Sequence, residues 1–135
     1  KKLILKCLNE LKKKNVETVA GISPIDNVGD ILNSGVVKAT INNKKIISLS
    51  RFPIPYTQNK FSKFNYYRII GIYGYKKKSL NIFKNNKFKY LELSESIETL
   101  RLIENNMDVK YFIGKINGPA VDTQNDLDLA EKILR

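Results

Sequence analysis

Gly118-Pro119-Ala120-Val121-Asp122-Thr123-Gln124-Asn125-Asp126-Leu127 is the stretch whose reading decides the fold. Upstream of it, Val109-Lys-Tyr-Phe-Ile-Gly-Lys-Ile116 carries the β-branched and aromatic residues of a strand. Downstream, Leu127, Ala130, Ile133 and Leu134 recur at helical spacing. Asn117-Gly118-Pro119 breaks the chain between the two. Thr123, followed three residues later by Asp126, starts a helix in the manner of a capping box. Asp122 is therefore expected just outside a helix N-terminus, at the carboxyl end of a strand, where open α/β sheets bind their ligands. A carboxylate that only helps to cap the helix is the competing reading, and these residues alone leave both open.

Composition narrows the function classes. The chain has 135 residues, 42% of them hydrophobic, which is enough for a single domain over residues 1–135 with a real core. No apolar run is long enough to span a bilayer, and Lys1-Lys2-Leu-Ile-Leu-Lys6 has neither a long apolar stretch nor a small-residue cleavage site, so a cytoplasmic protein with no membrane partner is expected. Cys7 stands alone and there is no histidine. An internal disulfide, a zinc site of ordinary ligands and a Ser-His or Cys-His nucleophile pair are thereby excluded. The formal charge of +11 invites a nucleic-acid reading, but the basic residues are mostly lysines scattered from end to end. Lys12-Lys13-Lys14 and Lys76-Lys77-Lys78 read as solvated faces, and no nucleic-acid module motif accompanies them. A small polyanion suits the charge equally well, and no nucleic-acid partner is expected.

Outward from the opening stretch, helices and strands alternate. Residues 2 to 14 form an amphipathic helix with Leu3, Ile4, Cys7, Leu8 and Leu11 on one stripe, which makes Cys7 a core residue. Val16 to Ile22 reads as a buried strand. The strand that should precede the helix of this βαβ unit is missing, so the chain is expected to be the later part of a larger protein. Residues 28 to 35 can hold a helical turn. A hairpin follows, residues 36 to 41 and 46 to 50, joined by Asn42-Asn43-Lys44-Lys45. Phe52-Pro53-Ile54-Pro55-Tyr56 is a stiff irregular arm, and residues 57 to 66, with Phe61 and Phe64, a polar excursion. Tyr67 to Tyr75 returns to strand, with Tyr73 and Tyr75 on one face and Gly71 and Gly74 marking a bulge or a close approach. Lys76 to Lys84 predicts a helix with Leu80 and Phe83 inward, and Ser94 to Asn105 another. On the latter, Glu98 and Arg101 share a face and can pair at the surface. The pattern argues for a three-layer α/β sheet with one inserted β-hairpin.

Five short motifs fall in one order: Val36-Val37-Lys38; Ser50-Arg51 with Ile54-Pro55; Gly71-Ile72-Tyr73-Gly74-Tyr75; Ile97-Glu98-Thr99-Leu100-Arg101; and Val121-Asp122-Thr123 with Asp126-Leu127. The ordered set resembles the 3-deoxy-manno-octulosonate cytidylyltransferases, or CMP-KDO synthetases, from about Leu3 onwards, and more distantly the other acidic-sugar cytidylyltransferases. The resemblance implies the Rossmann-like fold of a nucleotide-diphospho-sugar transferase, here incomplete at its N-terminus. It also implies CTP and an acidic sugar as substrates, Mg²⁺ as cofactor, homodimers, and a place in lipopolysaccharide biosynthesis. By match, Asp122 looks like a metal carboxylate and, with Arg51, a catalytic group; Arg51 and Arg68 look like cations near the sugar acid; Tyr73 and Glu98 look like contacts to sugar hydroxyls. Arginine suits these places because its planar fork fixes a carboxylate's orientation.

Two positions depart from the family pattern. Ile69 stands where the family has histidine, and Thr99 where it has glutamine. Both are sugar-side positions, and a buried hydroxyl left without its partner costs about 1 to 3 kcal/mol, so the choice of sugar stays open. The family's basic glycine-containing loop and first metal carboxylate would precede Lys1. The expectation is a carboxyl-terminal part of such an enzyme that does not bind CTP productively alone. The alternative is a non-catalytic truncated homologue that serves as a dimerisation module through residues 36 to 66.

Overall fold

The computed structural model describes residues 1–58 and 66–116, together with residues 124, 127, 128 and 131. Asp122, Phe61 and Phe64 lie outside the described residues, as does most of the last expected helix. The elements run α1 (Lys2–Leu11), β1 (Thr18–Pro24), α2 (Val28–Leu32), β2 (Lys38–Asn42), β3 (Lys45–Ser50), β4 (Tyr67–Tyr75), α3 (Lys77–Asn85), α4 (Tyr90–Glu95), α5 (Leu100–Glu104) and β5 (Val109–Ile113). No helix among the described residues is long and apolar enough to cross a membrane.

The fold is α/β, but the described strands do not form an open layered sheet. They close into a ring in the order β1-β4-β2-β3-β5. Only β1 and β5 run parallel, with Thr18 opposite Val109 and Ile22 opposite Ile113. The other four pairings are antiparallel. The β2–β3 turn is tighter than expected: Asn43 and Lys44 alone form it, both at positive φ, as a two-residue hairpin loop of matching twist requires.

Two apolar clusters lie on opposite sides of β1. Val19 joins Cys7, Val16 and Phe112 beneath α1, while Ala20 and Ile22 face Leu49, Leu100, Leu102 and Val109. The glycines of β4 serve both purposes foreseen for them. Gly71, at φ +70, sits in a register shift between β1 and β4. A Cβ on Gly74 would lie 2.8 Å from the Cys7 sulfur, so this glycine lets α1 approach the strand.

Several expectations need correction. The apolar stripe of α1 is only partly covered, since Ile4 and Leu8 are exposed. On α3 it is Ser79 that is buried, hydrogen-bonded to Thr18 Oγ1 and donating to the Glu17 carbonyl, whereas Leu80 points outward. The single helix expected over residues 94 to 105 is two, because Ser96 closes α4 in the left-handed region at φ 53. Tyr66, placed by sequence in a polar excursion, is buried; its carbonyl accepts from Ile25 N–H and its hydroxyl donates to the Pro55 carbonyl.

Candidate functional site

The register gathers the candidate cations at one end of the ring. Lys38 begins β2 and lies opposite both Ser50, which ends β3, and Arg68, at the start of β4. Ser23, near the end of β1, is also opposite Arg68. Because β5 runs parallel to β1, its carboxyl end at Ile113 lies beside Ile22, near the same end of the ring.

Arg51 is held in an unusual way. Its Nε donates to the Glu95 carbonyl at 2.8 Å, one terminal nitrogen to the Ser34 carbonyl at 3.1 Å and the other to the Ser96 carbonyl at 3.4 Å. The Glu95 carboxylate is occupied elsewhere, accepting from Ser50 Oγ at 2.6 Å and from the Arg51 main-chain N–H at 2.8 Å. Among the described residues, no carboxylate forms an ion pair with the Arg51 guanidinium. Carbonyl oxygens orient the fork but carry no net charge, so its positive charge is retained. The fork borders a cleft of about 410 Å³ lined by Leu32, Ser34, Phe52, Pro53, Ser94 and Glu95. Arg68 differs, because its guanidinium meets Asp30 at 3.2 Å. A half-buried partner already matches the charge that sequence reasoning assigned to a sugar acid.

Tyr73 and Glu98 do come into one neighbourhood. The Tyr73 and Tyr75 rings stack with centroids 6.0 Å apart, and the buried Thr99 is a polar neighbour of both phenols. Burial pushes the Tyr73 phenol up to about 12, with the Thr99 hydrogen bond opposing the rise and the charges of Tyr75 and Glu98 adding to it. Tyr73 is therefore a neutral hydroxyl at any ordinary pH. Glu98 is exposed and borders a smaller cleft of about 200 Å³ with Phe88, Glu92, Leu93, Ser96 and Ile97. The stretch from Glu95, which ends α4, to Thr99, which precedes α5, links the two groups: its start anchors Arg51 and its end neighbours the tyrosines.

The surface pair expected between Glu98 and Arg101 does not form. Arg101 is buried and makes a two-pronged contact with Glu92, Nε to one oxygen at 2.6 Å and a terminal nitrogen to the other at 2.5 Å. The partner nine residues back wins because α4 folds against α5, which helical spacing alone does not reveal. Sequence reasoning gave Lys38 no role and missed Glu95 altogether. A lysine among the apolar residues Val36, Val37 and Ala39 was a usable signal for the first; the Ser94-Glu95-Ser96 run offers none for the second. Among the described residues, no group of three or more acidic or cysteine side chains could hold a metal ion.

A cytidylyltransferase family model matches residues 1–110. The 3-deoxy-manno-octulosonate cytidylyltransferase of Christiangramia forsetii is 32% identical over 133 residues, which cover 97% of this chain and 53% of that protein. The enzyme of the same name from Thermodesulfovibrio yellowstonii is 34% identical over 141 residues, covering 99% of this chain and 55% of that one. A solved structure of CMP:2-keto-3-deoxy-manno-octonic acid synthetase complexed with CTP superposes with a TM-score of 0.87 at 24% identity, over 98% of this chain and 55% of the other. At that identity the superposition speaks for the fold alone. The chain spans about half the length of the curated relatives it matches. With the family pattern running through α1 and all five strands up to the first residues of β5, the chain belongs to the cytidylyltransferase family.

Proposed function

We propose that this chain is the sugar-binding, carboxyl-terminal part of a cytidylyltransferase that joins CMP from CTP to an acidic sugar such as 3-deoxy-manno-octulosonate, for lipopolysaccharide biosynthesis in the cytoplasm. The observation that carries the reading is the Arg51 guanidinium, oriented by three carbonyls and free of any carboxylate among the described residues, on the wall of a cleft. Such a fork is suited to receive the carboxylate of the sugar. Tyr73, neutral because its phenol is pushed up by burial, and Glu98 offer a donor and an acceptor for sugar hydroxyls. Arg68, its charge already met by Asp30, offers the sugar hydrogen-bond donors rather than a free charge.

In the reaction, the anomeric hydroxyl of the sugar gives up its proton to solvent and its oxygen bonds to the α-phosphorus of CTP as the bond to pyrophosphate breaks. Asp122 is the residue we assign to hold Mg²⁺, a hard cation that would take its carboxylate oxygen. When bound, Mg²⁺ neutralises charge that builds on the phosphoryl and leaving oxygens. Positioning is the task of this chain's own residues: Arg51 fixes the acid, and Tyr73 and Glu98 set the face of the sugar that meets the nucleotide. The parallel β1–β5 pair supports placing the chain, as one domain, in the later half of a Rossmann-like fold whose layered sheet is closed into a ring by the inserted β2–β3 hairpin.

The test is pyrophosphate release from CTP, 3-deoxy-manno-octulosonate and Mg²⁺ by this chain extended with the amino-terminal segment of the Thermodesulfovibrio yellowstonii relative. Release that drops roughly 100-fold or more in Arg51→Met and Asp122→Asn supports the reading. A folded chimera without activity, or full activity in both variants, overturns it. Tight binding of CTP by the chain alone would contradict its assignment as the sugar-side part.

A second reading is favoured by the arm after β3. Phe52 and Tyr56 are 71% and 80% exposed, and Leu32, which lines the same cleft as Phe52, is 60% exposed. Such a surface suits a homodimer contact, and a chain that only dimerises would use it. Sedimentation of the wild type against Phe52→Ser/Tyr56→Ser decides whether that contact exists.

A further inference from the structure

Lys38 is fully buried in a strand, which is costly for an ammonium by several kcal/mol unless its charge is met. Its Nζ donates to the Asn33 carbonyl at 2.8 Å and to the Arg51 carbonyl. No carboxylate is in ion-pair contact with it among the described residues. The charged groups around it are Glu95 at the end of α4, Arg51 after β3, and Arg68 across the ladder on β4, itself matched by Asp30. Glu95 favours its charged form and Arg51 disfavours it, while burial is the larger influence and pushes its pKa down.

Residue 51 is thus clamped from both sides. Glu95 takes its N–H, Lys38 takes its carbonyl, and the carbonyls of Ser34, Glu95 and Ser96 take its side chain. Asn33 and Ser34 are successive residues after α2, and their carbonyls serve Lys38 and Arg51 in turn. A carboxylate as close as that of Glu95 would ordinarily pair with the arginine fork. Here it turns instead to Ser50 Oγ and to the Arg51 main-chain N–H.

We infer that Lys38 is a positioning residue of the sugar site: it balances the charge of Glu95 and clamps the main chain of residue 51, so that the Arg51 guanidinium keeps its charge for an anionic substrate. The inference deepens the assignment of Arg51 made above. If it were only a structural filler, a methionine of similar length would serve as well, without the desolvation cost.

The experiment is hydrogen exchange by ¹⁵N NMR on the chain itself. Lys38→Met should speed exchange at the Arg51 main-chain and Nε hydrogens by about tenfold or more, with the amides of Ala20, Leu102 and Val109 unchanged. Lys38→Arg should restore most of the protection. Unchanged exchange at Arg51, or a uniform loss that includes the core amides, overturns the inference. Should Lys38→Met fail to fold, Glu95→Gln decides: the Lys38 ammonium, followed by its Cε signal, should then titrate at lower pH than in the wild type, and an unchanged titration overturns the charge-balance claim. Loss of pyrophosphate release in the extended enzyme would sink the cytidylyl-transfer reading while leaving these exchange results standing.

Discussion

Arg101 and Arg51 are both anchored by α4 and its C-terminus, yet they end in opposite electrical states. Arg101 gives two donors to Glu92 and a third to the Phe83 carbonyl, and its guanidinium lies 5.3 Å and 4.4 Å from the ring centres of Phe83 and Phe88. Its charge is spent and its surface covered. Arg51 meets only carbonyls, because Glu95, three residues along from Glu92, turns its carboxylate to Ser50 and to main chain. The first arginine joins α3, α4 and α5 into one unit; the second keeps a charge beside a cleft. An arginine's contribution is thus decided by whether its acceptors are charged, and the same short helix supplies both cases.

The largest effect should come from breaking the matched pair. Arg101→Met or Glu92→Leu alone leaves a buried charge without its partner and should cost about 3 to 5 kcal/mol, read as a lower urea midpoint. The double variant should cost less than either single one. A double variant as damaged as the sum of the singles would show that the two do not act as a pair.

Arg51→Met sharpens the contrast from the other side. It removes neutral hydrogen bonds and strands no buried carboxylate, so its stability loss should stay within roughly 1 to 2 kcal/mol while substrate-dependent activity of the extended enzyme collapses. A loss equal to that of Arg101→Met would make Arg51 a second staple. Gly74→Ala tests the approach of α1, since the new methyl would sit 2.8 Å from the Cys7 sulfur and 3.2 Å from Leu11. About 1 to 3 kcal/mol should be lost, visible as a drop in melting temperature.

Two titrations follow with opposite signs. Folding raises the Tyr73 phenol from 10.0 to about 12, so the folded state keeps a proton that the unfolded chain releases. Its contribution to stability is complete below pH 10 and falls as pH rises towards 12. Tyr73→Phe should flatten that fall, and absorbance near 295 nm should show the wild-type phenol ionising late. Lys38 behaves inversely: its folded pKa is depressed, so the unfolded chain binds more protons and stability should rise with pH up to the ordinary lysine value of 10.5. Lys38→Met should lack that rise. The smallest effect is expected at Asp108, which bridges Lys45 and Lys110 at the surface and is held below the usual carboxylate range by hydrogen bonds to both. Asp108→Asn should change stability by less than about 1 kcal/mol in urea unfolding.

Periodicity made α1, β4 and the β2–β3 hairpin legible, because burial on one face imposes a pattern that survives in sequence. It also placed Cys7 in the core and gave Gly71 and Gly74 their reasons. Tyr73 and Glu98 were legible as neighbours only through the family resemblance, since 25 residues separate them. The break at Ser96 was hidden: Ser94 to Asn105 keeps helical spacing across it, and a left-handed serine leaves no compositional mark.

What the residues dictated on their own is chemistry and local shape: no histidine for proton relays, one lone thiol, a basic surface, and elements whose apolar spacing names them. Which charges cancel was left to the tertiary fold. Arg101, paired by sequence with Glu98, went to Glu92, and Arg51 was spared a carboxylate because Glu95 turned to Ser50 and to main chain. Ion pairing depends on distances of a few ångströms between segments far apart along the chain, and only the closing of the strand ring and the fold of α4 onto α5 set those distances.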